Sequence, residues 1–251
     1  MHERSELAVV VGATGAFGQA IVERLQVSGL QVLAVARNAE GLARLARDYP
    51  GVRGCIADIA DDGAQQAIRA AIDRPVRMIV HGPGVAVAGG VVDVPAAALS
   101  AAVNIKVGGM LRLVRAVDAH LVDGSRLVGI GGHYGFEPTA YAAAAGVGNA
   151  ALANLIRQLS LAYGERGITA HLIAPGPADT ERLRRVAADR AVLEGVSTET
   201  VLARMRAESS LEAFTTPHQV AWAIAMLLAP EATAMTGSTL MLDSGRRRGL
   251  P

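Results

Sequence analysis

The chain is poor in cysteine, aromatic residues and lysine. Of 251 residues only Cys55 is a cysteine, 3% are aromatic, and Lys106 is the sole lysine, so arginine carries nearly all of the positive charge. A single thiol excludes a disulfide framework within the chain and fits a reducing compartment. Neither Cys-x-x-Cys nor His-Glu-x-x-His spacing occurs, so no metal site is expected. A Gly-x-Ser-x-Gly elbow is also missing, which removes the support for a Ser-His-Asp hydrolase. Excess charge of one sign is lacking, with a formal net charge of +1. A phosphate-backbone binder concentrates surplus Lys and Arg on one face, so nucleic acid is not the expected partner. The tail Arg246-Arg247-Arg248 reads as a solvated terminus or as a contact for an anionic partner.

Long hydrophobic runs are scarce as well. The opening Met1 to Glu6 mixes charges, and the apolar run Leu7 to Val11 stops at Gly12, too short for a signal-peptide core. Met78 to Val92 contains His81, Pro83 and four glycines, and falls short of the roughly 18 residues of a spanning helix. The expectation is a cytoplasmic protein that does not enter the membrane.

What the chain does have is alternation. Runs rich in Val, Ile and Leu recur at Leu7 to Val11, Val32 to Ala36, Arg77 to Val80, Arg126 to Ile130, Ile168 to Ile173 and Thr239 to Leu242, with a weaker one at Val52 to Ile56. Helical period fills the gaps: Phe17 to Val27, Glu40 to Arg47, Ala64 to Ile72, Ala96 to Leu121, Tyr141 to Tyr163 and Gln219 to Leu228. Continuous apolar strands alternating with helices predict an α/β fold with a doubly wound parallel sheet covered on both faces. No linker divides the chain, so residues 1–251 read as one domain. Residues 180–213 are polar and helix-prone, which predicts a helical insertion beside a ligand pocket or a plain surface hairpin.

The first strand runs straight into Gly12-Ala13-Thr14-Gly15-Ala16-Phe17-Gly18 and then a helix. Glycines at such a turn let backbone N–H groups approach a pyrophosphate, and the helix N-terminus adds partial positive charge. The spacing is G-x-x-G-x-x-G rather than the strict G-x-G-x-x-G, and tight turns also use glycine for steric reasons. The second strand ends in Ala36-Arg37-Asn38, where an acidic residue would hold ribose hydroxyls and exclude a 2′-phosphate. Arg37 pairs with such a phosphate, so NADP(H) is expected in preference to NAD(H).

Together with this turn, Asp58-Ile59, Asn104-Ile105-Lys106-Val107-Gly108, Tyr141, Ala174-Pro175-Gly176-Pro177 to Thr180, and Thr236-Gly237 through Asp243-Ser244-Gly245 resemble the short-chain dehydrogenase/reductase family. The resemblance runs in order along the whole chain. It implies a seven-stranded Rossmann-type sheet, a nicotinamide dinucleotide, a small-molecule substrate, and a homodimer or homotetramer packed through two long helices. It places Asp58 and Ile59 beside the adenine and the Pro175-Gly176 turn beside the nicotinamide. The segment His81-Gly82-Pro83-Gly84 stands where the family carries Asn-Asn-Ala-Gly.

The same resemblance assigns proton chemistry to a Tyr and a Lys four residues later, carbonyl positioning to a Ser, and a water relay to an Asn. Tyr141 and Asn104 match this pattern. Ala145 stands four residues after Tyr141, and Gly132 stands for the serine. An unperturbed phenol is about one part in a thousand ionised at pH 7, and losing a positioned acid or base removes about 10² to 10⁴ in rate. His133 and Tyr134, on the loop after the fifth strand, are candidate substitutes, or else a packed histidine and an aromatic lid. His81 and His171 read as core histidines. Tyr134, Phe136 and Phe214 are candidates to line a small apolar pocket.

Three functions remain open. The first is an NADP(H)-dependent oxidoreductase acting on a small carbonyl or alcohol. The second is a lyase, isomerase or cyclase on the same fold, and the third a catalytically silent NADPH-binding or sensor protein.

Overall fold

The computed structural model describes residues 6–85 and 89–249; Met1 to Ser5 of the mixed-charge opening and Ala86 to Ala88 within the apolar stretch lie outside them. Seven strands form one parallel sheet in the order β3-β2-β1-β4-β5-β6-β7. They are β1 (Leu7–Val11), β2 (Gln31–Ala36), β3 (Val52–Ile56), β4 (Val76–His81), β5 (Leu121–Ile130), β6 (Thr169–Pro175) and β7 (Thr239–Leu242). The helices are α1 (Ala16–Val27), α2 (Ala39–Asp48), α3 (Gly63–Ala70), α4 (Ala96–Val103), α5 (Gly109–Val117), α6 (Ala143–Tyr163), α7 (Glu181–Glu194), α8 (Thr198–Ala207) and α9 (Pro217–Met226).

Period-2 alternation divides the apolar strands between two cores. Leu7, Val9 and Val11 of β1 point to one face, with Ile68 of α3, Leu113 of α5 and Ile156 of α6. Ala8 and Val10 point to the other, with Ile21 of α1, Leu45 of α2 and Ile224 of α9. β1 and β6 are buried on both faces and so read as unbroken apolar runs, whereas the edge strand β3 exposes Arg53, Gly54 and Ile56.

The predicted helix Ala96 to Leu121 is not continuous. A π-helical turn, Asn104–Gly108, separates α4 from α5, with the Gly109 N–H donating to the Asn104 carbonyl five residues back. Such an extra residue rotates the side chains that follow it, and π turns are frequent at functional sites. Gly109 lets this segment approach the end of β4: a Cβ there would come within 2.8 Å of His81 Cε1. Among the described residues, Ala96–His120 is long and apolar enough to cross a membrane by length and composition. Its Met110, Leu113, Val114 and Val117 are buried against the sheet.

The polar segment 180–213 folds as the helical pair α7 and α8. Leu183, Ala187, Val201 and Met205 pack with one another in a small separate core. Thr180 caps α7 by accepting from the Leu183 N–H at 3.3 Å, and Ser197 caps α8 by accepting from the Thr200 N–H at 3.1 Å.

Candidate active site

Sheet order reverses between β1 and β4, and the carboxyl edge of the sheet at that point opens a cavity of about 710 Å³. Its rim comes from the segments following β1, β4, β5 and β6, and α7 covers one side.

The glycine turn after β1 forms one wall, where Gly12, Thr14, Gly15, Ala16, Phe17 and Gly18 all face the cavity. Gly12 has φ +83°, which favours glycine, and a Cβ on it would press on the Gly82 backbone at 3.2 Å. A Cβ on Gly18 would lie 2.2 Å from the Gly12 carbonyl, so that glycine is required for α1 to meet β1. Gly15 differs, because the nearest atom to a Cβ there is 3.4 Å away. Its openness leaves backbone and the unsatisfied first-turn N–H groups of α1 facing the cavity. This cradle fits a dinucleotide pyrophosphate.

Arg37 and Asn38 follow β2 and lie outside this cavity. The Arg37 side chain is 79% exposed and lies 3.6 Å from Asp58 Oδ2, in reach of a group placed beyond the edge of β2. Asn38 serves the fold locally, since its Oδ1 accepts from the Gly41 N–H at 3.1 Å and caps α2. Asp58 Oδ1 accepts from the Ala60 N–H at 3.0 Å, and Ile59 is buried in the core. Gly82 and Gly84 line the cavity after β4, as do Pro175 at the end of β6 and Gly176 and Thr180 beyond it, whereas Pro83 does not.

The polar groups gather after β5. Tyr134 and Tyr141 both line the cavity, and their hydroxyls are 3.0 Å apart. Their rings meet edge to face at 5.8 Å between centroids, and the Arg190 guanidinium lies 5.4 Å from the Tyr141 ring centre. Burial and the Tyr141 hydroxyl hold the Tyr134 phenol well above its ordinary pKa, so it stays protonated. Tyr141 lies just before α6 rather than on it, which corrects the predicted helix start. The α6 residues facing the cavity are Ala145 and Asn149, four apart.

Two candidates have surroundings that differ from those expected. Asn104 does not line the cavity: its Nδ2 donates to the Ala60 carbonyl at 3.0 Å, and its Oδ1 accepts from Arg112 at 3.0 Å. The π turn directs Asn104 outward and Lys106 inward. His133 lines the cavity but is buried, and burial pushes its pKa down to about 4. It is therefore neutral near pH 7 and not a ready proton donor. His81 and His171 are core residues as expected, with Nε2 bonded to the Ile105 carbonyl and to Thr169 Oγ1 respectively. Phe136 and Phe214 pack in the cores rather than on the cavity.

Sequence reasoning missed the residues that complete the wall. Lys106 is 3% exposed and donates from Nζ to the Ile130 carbonyl at 2.7 Å. Asn149 is buried with Oδ1 unpartnered, and a Cβ on Gly132 would lie 2.9 Å from its Nδ2. Arg182, Arg185 and Arg190 of α7 stand around the mouth. The one available signal was Lys106 itself, the chain's only lysine. No side-chain group of three or more His, Cys, Asp or Glu suited to a metal occurs among the described residues.

An enoyl-(acyl carrier protein) reductase family model matches residues 12–247. The short-chain reductase protein NovJ of Streptomyces niveus is 26% identical over 262 residues, covering 97% of this chain and 94% of that protein. Galactitol 2-dehydrogenase of Rhizobium johnstonii is 27% identical over 260 residues, covering 96% and 94%. A variant of the actinorhodin polyketide ketoreductase, solved with NADPH, superposes with a TM-score of 0.87 at 25% identity, covering 96% and 97%. The fold, the glycine turn and a family model spanning almost the whole chain agree: the chain belongs to the short-chain dehydrogenase/reductase family.

Proposed function

We propose that this chain is an NADP(H)-dependent oxidoreductase acting on a small carbonyl or alcohol. One observation carries the reading: a glycine cradle built for close backbone approach opens into the same cavity as a pair of hydrogen-bonded phenols. Gly15 and the first-turn amides of α1 would hold the pyrophosphate, Arg37 the 2′-phosphate, and the Pro175-Gly176 turn the nicotinamide end. The unpartnered Asn149 Oδ1 is an acceptor for a hydroxyl of the same molecule. When bound, the dinucleotide supplies or accepts a hydride.

The chain's own groups do the rest. The hydrogen-bonded hydroxyls of Tyr134 and Tyr141 leave one O–H free to donate toward a substrate oxygen and orient it. Tyr134 and the face of α6 around Ala144 and Ala145 exclude water from that end of the cavity. Val147 and Leu161 lie exposed on α6, a surface for the self-association of a homodimer or homotetramer.

NADPH oxidation, followed with a panel of ketones, aldehydes and quinones, tests this directly. Turnover that is lost in Tyr141→Phe supports the reading. Gly132 and Ala145 bring no polar side chain to the wall, and they favour a second reading, an NADPH-binding protein without redox turnover. Binding with no oxidation of NADPH by any of the panel would select that second reading.

A further inference from the structure

The cavity holds one buried cation for which neither the glycine cradle nor the tyrosine pair accounts. Lys106 sits on the π turn between α4 and α5, 3% exposed, with its ammonium against the carboxyl end of β5. Its partner is a neutral carbonyl, that of Ile130 at 2.7 Å. No carboxylate pairs with it among the described residues. An ammonium has three N–H groups, so two remain for whatever enters the cavity. A buried cation without a counter-ion is costly, and a chain with 24 basic residues places its only lysine here, where arginine cannot release a proton.

We propose that Lys106 is a catalytic residue of this cavity: its ammonium binds the carbonyl oxygen of the substrate and gives it a proton as the carbonyl is reduced. The proposal rests on the oxidoreductase reading. In the step, the carbonyl carbon receives a hydride, with its electron pair, from a reduced nicotinamide dinucleotide. The C=O π pair moves to oxygen, and that oxygen takes a proton from Lys106, which becomes a neutral amine and regains a proton from water. In the reverse direction the neutral amine accepts the proton of an alcohol.

The surroundings suit this role. Burial pushes the Lys106 amine down to about 7, aided by the Arg182 cation on α7. An ordinary phenol has a pKa of about 10, so this ammonium is the stronger acid by about a thousandfold. On β4, His81 is held neutral by its own burial and by Lys106, with a pKa of about 3, and takes no share of the proton. Tyr134 and Tyr141 face the same space from the loop after β5, and Arg185 and Arg190 stand at the mouth.

Because there is one lysine, protein labelled with ε-¹⁵N-lysine gives a single side-chain resonance to titrate. The expected result is an amine pKa near 7 in the wild-type protein; an ordinary value near 10.5 would overturn the proposal without any substrate being needed. With ethyl acetoacetate as a probe ketone, reduction is expected to fall as pH rises through about 7. Oxidation of the product alcohol is expected to rise through the same pH. Lys106→Met should lose about 100-fold or more in kcat and both pH limbs while NADPH binding by calorimetry is kept. Unchanged kcat and pH profile in that variant would reduce Lys106 to packing. Failure of the wild-type protein to bind NADPH would instead remove the oxidoreductase reading itself, so the two failures are distinguishable.

Discussion

The hydroxyls of Tyr134 and Tyr141 stand 3.0 Å apart, although one belongs to the turn after β5 and the other to the approach to α6. A hydrogen bond between two phenols leaves one hydroxyl as donor toward a third group, so the pair presents a directed polar edge to the cavity. Tyr141→Phe removes that edge with little change in volume. The expected outcome is a loss of about 10² to 10⁴ in kcat with the NADPH dissociation constant unchanged, checked by steady-state kinetics and calorimetry.

The two cradle glycines separate stability from binding. In Gly18→Ala the new methyl meets the Gly12 carbonyl at 2.2 Å, backbone that cannot yield, so a large loss of soluble, folded protein is expected. In Gly15→Ala the nearest atom is 3.4 Å away. Alanine is the poorer N-cap, which costs up to about 1 kcal/mol, or about 2 to 4 °C in Tm for a chain of this size. NADPH affinity should nevertheless fall by about tenfold or more, because the methyl occupies the approach to the backbone. Thermal melts and titrations on both variants check the contrast.

Arg37 projects from the end of β2 with Asp58 as its neighbour. Arg37→Glu should lower NADPH affinity by about 10- to 100-fold and leave NADH affinity nearly unchanged, since only the 2′-phosphate loses its partner. Competition titrations with the two cofactors measure the ratio.

Stability should depend on pH through three buried histidines. Burial lowers the pKa of His81 to about 3 and those of His133 and His171 to about 4, from 6.5 when unfolded. Between pH 6.5 and 4 the unfolded chain therefore binds more protons than the folded one, and stability falls as pH falls. Above pH 6.5 these groups are neutral in both states, and their contribution is flat. Tm measured from pH 8 to pH 4 should drop below about 6.5, with a shallower slope in His171→Leu.

Much of this fold was legible because buried parallel strands announce themselves. Leu7 to Val11 and Thr239 to Leu242 stand out in the sequence with the boundaries they have in the structure, whereas Val52 to Ile56, exposed at Arg53, Gly54 and Ile56, gives a weaker signal. The cradle was legible for a related reason: Gly12 and Gly18 answer to local backbone crowding, which a strand-to-helix turn dictates. The polar wall of the cavity was not. Asn104 and Lys106 are two residues apart, and a π turn that periodicity does not register decides which of them faces the cavity. Asn149 likewise lies in an alanine-rich helix, and only the packing of α6 against Gly132 makes it part of the site. Loss of mobile charge at His133 depends on burial, a tertiary property.

The measurement that bears most directly on the site is a calorimetric titration of nucleotide-stripped protein with NADPH and then with NADH. Micromolar binding of NADPH, with NADH at least about tenfold weaker, is the expected result. Binding of neither would contradict the assignment of the glycine cradle and Arg37 to a dinucleotide, and with it the oxidoreductase reading.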